Sequence, residues 1–130
     1  MQDNRNLIEV LKGELEFLNR GGYRETSWRP QFIFEDSPTC LNYGNDADRR
    51  PCNECVLMQL VPPEKRAERV PCRHIPLNER GDTIASLYHF STQDELESAV
   101  RAWLTREIEK LDKAQSSVRQ AHRMGPAAHK

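Results

Sequence analysis

Four cysteines lie within 33 positions of one another, Cys40, Cys52, Cys55 and Cys72, in the spacing C-x11-C-x2-C-x16-C. A C-x2-C pair can offer two thiolates to one ion from neighbouring backbone positions. The outer two can complete a tetrahedron because flexible chain flanks the pair on both sides. If all four serve one centre, three separate stretches of chain must meet at one point, which few folds of this size allow. Residues 35–51 (EDSPTCLNYGNDADRRP) have the composition of a loop, and a loop that long inside a compact domain needs something to organise it. A bound metal would do so.

Length bounds the rest. At 130 residues the chain fits one domain with little room for a second core. Hydrophobic residues make up 37% and charged ones 30%, so the core is modest and a cross-link through the middle of the chain gains importance. The reading is a single metal-stabilised α+β domain over 1–112 and a basic tail over 113–130, which carries four basic and no acidic residues. Such a tail is a solvated end or a contact for phosphates or an acidic partner. The first residues have no basic stretch followed by an apolar run, and no segment reaches the roughly 18 apolar residues of a membrane span. A cytoplasmic protein without a membrane segment is expected. In a reducing compartment cysteines serve as metal ligands or reactive thiols more often than as disulfides.

The pattern predicts a first helix over about 4–20. Asn4 would cap it, Leu7, Ile8, Leu11, Leu15 and Leu18 would form its apolar stripe, and Gly21-Gly22 would end it. Trp28 to Phe34 alternates like a half-buried edge strand, with Pro30 in it. Pro51 suits the first turn of a short helix carrying Cys52, Cys55 and Val56 to Leu60, which Pro62 ends, and residues 63–68 suit one further turn. Val70–Leu77 and Thr83–Phe90 read as a β-hairpin around a bulged turn at Gly81. Arg80-Gly81-Asp82 also spells a tripeptide read by adhesion receptors, but turn chemistry accounts for those residues. Thr92 and Glu95 form a capping box ahead of a long helix from about 93 to at least 112, with a stripe through Leu96, Val100, Trp103, Leu104, Ile108 and Leu111. The expected architecture is an N-terminal helix, a small antiparallel sheet of one strand plus a hairpin around the four-cysteine site, and a long C-terminal helix. That helix packs on the sheet, on the first helix, or on a second copy as a homodimer.

Zinc is the expected occupant of the cysteine site and an iron–sulfur cluster the alternative, since thiolates suit both. A helix N-terminus at Cys52 and Cys55 would ease their deprotonation, and Arg49, Arg50 and Arg73 would offset the charge of four sulfurs. The competing reading is a reduced C-x2-C pair with two unrelated buried thiols. His74, two residues after Cys72 and on the same face of an alternating strand, is a candidate to replace one cysteine. Pro51-Cys52-Asn53-Glu54-Cys55 resembles half of the zinc site of cytidine deaminases. The place of the glutamate-bearing half falls on Cys40-Leu41-Asn42, where asparagine cannot shuttle a proton, so deaminase chemistry is excluded. A lone cysteine, a C-x2-C pair and a further cysteine is also the order similar to that of WhiB-like 4Fe–4S regulators. The last gap here is far longer and no glycine–tryptophan turn comes after it; the similarity implies only that a cluster is an admissible occupant.

Closed four-thiolate sites build folds more often than they catalyse. The functional expectation is therefore a non-enzymatic interaction or regulatory module with a structural zinc and a protein partner. The alternatives are an iron–sulfur redox or sensor protein and a small nucleic-acid binder using Lys65, Arg66, Arg69, Arg73 and the tail. The near-zero net charge of −1 weighs against the last. An enzyme using Cys72 with His74 as base lacks an oxyanion site or an orienting third group.

Overall fold

A computed structural model describes residue 3 and residues 5–24, 32–44 and 50–124, with side chains as far as Ser116. Three α-helices and a series of 3-10 turns make up its regular structure. α1 spans Leu7–Asn19, α2 Ile84–Phe90 and α3 Gln93–Met124.

α1 starts where Asn6 leaves the helical conformation and its side chain accepts the backbone N–H of Glu9 at 3.1 Å. Asn4, the expected cap, lies outside the described residues. The helix ends as predicted, with Gly21 in the left-handed region at φ 78° and its N–H on the carbonyl of Leu18. α1 buries Ile8, Val10, Leu11, Phe17 and Leu18. α3 begins with the predicted capping box: Thr92 Oγ1 accepts from the N–H of Glu95 at 3.1 Å, and Glu95 Oε1 accepts from the N–H of Thr92 at 2.8 Å. Its stripe through Leu96, Val100, Trp103, Leu104 and Ile108 is buried against α1 and α2. α3 continues to Met124, into the segment read as a tail, and residues 113–116 of that extension are exposed.

The described residues do not form the predicted antiparallel sheet; their only β-pairing is one isolated bridge between Pro76 and Thr83. Residues 25–31, most of the predicted Trp28–Phe34 strand, lie outside the described residues. Residues 33–36 form a turn in which Phe34 takes φ 69°, a conformation no strand contains. The second hairpin arm is α2. Thr83 caps it by accepting from the N–H of Ser86, and Ser86 Oγ accepts in return from the N–H of Thr83. That reciprocal box outweighs the β-preference of the residues behind it. The first arm contains a 3-10 turn, Pro71–His74, opened by one proline and followed by another at Pro76, neither of which can donate to a ladder. The turn between the arms survives. Gly81 has φ 84°, and Asp82 is held by Asn78 and Arg80 side chains at 2.9 Å and 3.0 Å. Arg80 and Asp82 of the adhesion-like tripeptide thus pair with each other.

The short helix expected over the C-x2-C pair is two 3-10 turns, Cys52–Glu54 and Val56–Leu60, with Cys55 extended between them at ψ 143°. A third, Pro63–Lys65, supplies the predicted further turn. Ile33, Phe34, Val56, Leu57, Val61, Ile75 and Leu77 of this irregular middle are buried in one cluster with the stripes of α1 and α3. Phe34 meets Trp103 edge-on at 6.3 Å between ring centres. The apolar side of the middle is therefore core, and its polar side is free to form a site.

Candidate metal centre

That other side is a cavity of about 1030 Å³, and Cys40, Cys52, Cys55 and Cys72 all line it. None of the four is in a disulfide. They arrive on three pieces of backbone: Cys40 at the end of the turns over 33–40, Cys52 and Cys55 on either side of the first 3-10 turn, and Cys72 inside the turn Pro71–His74.

Three polar stitches fix those pieces. Asn42 is buried; its side chain donates to the carbonyl of Arg50 at 2.9 Å and accepts the N–H of Arg50 at 2.6 Å. This joins the Cys40 turn to the residue two before Cys52. Arg73, next to Cys72, makes a two-pronged pair with Glu35 at 2.6 Å and 3.0 Å and lies over the ring of Phe32. Arg5 donates to the carbonyl of Thr39 at 2.6 Å and reaches Cys55 Sγ at 3.9 Å, while Asp3 grips its guanidinium from behind. Asp3 also accepts the N–H of Val56 at 3.0 Å, so the segment ahead of α1 straps the C-x2-C turn down.

Beneath the Cys40 turn lies a second buried network. Glu14, fully buried on α1, accepts from Thr39 Oγ1 at 2.8 Å and from the hydroxyl of Tyr23. Tyr23 in turn accepts the N–H of Phe34 at 2.8 Å, and Ser37 and Thr39 share a hydroxyl contact at 2.9 Å. Burial raises the Glu14 carboxyl above its ordinary range, against the opposing pull of the hydroxyls of Tyr23, Ser37 and Thr39. Over residues 34–39 these bonds supply order that the loop's composition alone asks of a metal.

The cysteines feel one another. Burial pushes the Cys72 thiol well up, and the charges of Glu35, Cys40, Cys52 and Cys55 push in the same direction. Burial also raises Cys55, opposed by the Leu57 N–H, which donates to its sulfur at 3.4 Å, and by Arg5. His74, no longer on a strand, still lines the cavity, with Nε2 at 3.9 Å from Glu68. Arg49, expected to offset thiolate charge, lies outside the described residues, whereas Arg5, for which the cysteine spacing gives no signal, stands 3.9 Å from Cys55 Sγ. Among the described residues, no group of three or more His, Cys, Asp or Glu is placed to hold a metal ion. The fold brings the four cysteines to one cavity, and the side chains stand around its wall rather than converging on a point.

No family model, curated protein or solved structure matches the chain. No helix among the described residues is long and apolar enough to cross a membrane.

Proposed function

We propose that Cys40, Cys52, Cys55 and Cys72 hold one thiolate-bound metal centre, and that the protein is a non-enzymatic interaction or regulatory module built around it. The observation that carries this reading is the meeting of four cysteines, none in a disulfide, from three stretches of chain on one cavity. A chain that needed only small buried side chains would have no reason to gather them there. The Leu57 N–H and the Arg5 guanidinium aimed at Cys55 are the donors that stabilise a metal-bound thiolate. Four thiolates closing one centre leave no open position for substrate, which favours a fold-building role over catalysis.

Metal content and thiol titration of protein purified without oxygen test the reading. The expected result is bound metal, no thiol reacting until a strong chelator is added, and loss of structure when it is. Cys→Ser changes at 40, 52, 55 and 72 should each lower metal retention to a similar extent. Four thiols that react at once in a metal-free, fully stable protein would sink the proposal.

A further inference from the structure

We infer that Cys52 and Cys55 close into a reversible disulfide, which makes the C-x2-C turn a redox-sensitive site that exchanges with small disulfides. The backbone of the turn carries the argument. Cys55 donates its N–H to the carbonyl of Cys52 at 3.0 Å and Glu54 donates to that of Pro51 at 3.1 Å, which closes the 3-10 turn Cys52–Glu54. Such a turn rises about 2 Å per residue with three residues per turn, so positions three apart eclipse one another with α-carbons about 6 Å apart. Disulfides span α-carbon separations of about 4.4–6.8 Å. Cys55 departs from the turn only in its ψ of 143°; its φ of −71° is helical, and φ sets where its β-carbon stands. Both side chains therefore project to one side, and both line the same cavity.

Neither thiol is in a disulfide and each is only half-buried, so a small disulfide can reach them. The turn is fixed from its far side as well, by the N–H of Met58 on the Cys55 carbonyl at 3.0 Å and by Asp3 on the N–H of Val56 at 3.0 Å. Cys40 and Cys72 stand on separate pieces of backbone, which leaves this pair the one set by a single turn. The reaction is thiol–disulfide exchange. One cysteine sulfur, as thiolate, attacks a sulfur of the small disulfide and displaces one small thiol. The second cysteine then attacks the protein-side sulfur of the mixed disulfide, and the other small thiol departs. Two cysteine thiols are oxidised, one small disulfide is reduced, and both thiol protons leave on the small thiols. The pairing does not require the metal; with one bound, closure would remove two of its four sulfurs.

The test equilibrates the whole chain, purified without oxygen, with graded ratios of oxidised to reduced glutathione, in one arm with a strong chelator and in one without. The mixtures are quenched with acid, alkylated and digested with trypsin, which places Cys52 and Cys55 in one peptide, residues 50–65, and Cys40 and Cys72 in two others. The expected product is peptide 50–65 unalkylated and about two mass units lighter, restored by dithiothreitol, with Cys40 and Cys72 still alkylated. Cys52→Ser should leave glutathione on Cys55, a mixed disulfide that the wild type resolves. With chelator, the double variant Cys40→Ser/Cys72→Ser should close the pair at the wild-type glutathione ratio. Closure that needs the chelator would support both the pair and the metal centre, whereas closure at the same ratio in both arms would keep the pair and count against the metal. Peptides joining Cys52 or Cys55 to Cys40 or Cys72 would overturn the pairing. So would wild-type chain that retains glutathione on residues 50–65, or no oxidation with chelator present.

Discussion

The helical side of this molecule and its irregular middle are held together by different means. α1 and α3 meet through stripes of apolar side chains, from Leu11 and Leu18 to Val100 and Leu104, none of which needs a partner of defined geometry. The middle contributes its own apolar residues to that core, but the shape of its outer side depends on directed bonds: Asn42 to Arg50, Arg73 to Glu35, Arg5 to Thr39. Burial tolerates adjustment, whereas a hydrogen bond to a named carbonyl does not. The contrast shows why a hydropathy pattern can locate two helices and yet misjudge the sheet expected between them.

The largest effect should come from the side held by burial. Trp103 is 6% exposed and sits where the α3 stripe meets Phe34 of the middle, so Trp103→Ala should cost about 3–5 kcal/mol. Denaturant unfolding checks this. A loss below about 1 kcal/mol would mean that the two regions do not share one core.

A smaller effect, and one of a different kind, belongs to Glu14. Glu14→Ala leaves the buried hydroxyls of Tyr23 and Thr39 without their acceptor and should cost about 2–4 kcal/mol. The titration of Glu14 gives a sign to test. Its folded pKa lies above the ordinary 4.5, so the stability of the protonated form is fully present below 4.5 and is lost as pH rises through the raised value. Glu14→Gln, neutral throughout, should flatten that decline and equal or exceed the wild type at high pH. An unaltered pH profile would show that Glu14 titrates as an ordinary surface group.

The smallest effect concerns the strap ahead of α1. The Asp3 carboxyl is held at about 2: burial acts to raise it, but the bonds from Arg5 and the N–H of Val56 outweigh that. A depressed pKa stabilises above the ordinary 3.8, and that stability disappears as pH falls towards 2. Asp3→Asn should therefore cost about 1–2 kcal/mol at neutral pH and progressively less below about pH 4. Acid titrations of the two proteins that run parallel would separate the strap from stability and weaken the case that polar stitches hold the middle.

The sequence announced what depends on period and on caps. The Gly21 stop, the Thr92–Glu95 box and the Gly81 turn stand where the pattern puts them, and of the α1 stripe Ile8, Leu11 and Leu18 are buried, with Val10 and Phe17 taking the places expected of Leu7 and Leu15, which are only partly buried. The sheet failed for local reasons. Thr83 to Phe90 alternates well enough to pass for a strand, but Ser86 serves as the third residue of a capping box, a place where glutamate or glutamine is the familiar signal. Phe34 in a left-handed turn has no sequence mark at all. That all four cysteines line one cavity is in keeping with their spacing, whereas Arg5 and Asp3 had no mark in the sequence, because a contact over 50 positions between an arginine and a sulfur leaves no periodic trace. Asn42 drew attention only as a poor substitute for a catalytic glutamate. Its position within the loop, eight residues from the backbone it binds, gave no hint that it closes that loop.

That closure has a bearing on how the two halves of the cavity wall depend on each other. Asn42 holds both the N–H and the carbonyl of Arg50, so one neutral side chain that donates and accepts at once couples the turn carrying Cys40 to the approach to Cys52. Aspartate in its place keeps the acceptor and loses the donor, and leucine loses both, so the two changes grade the coupling of those segments without touching a thiol.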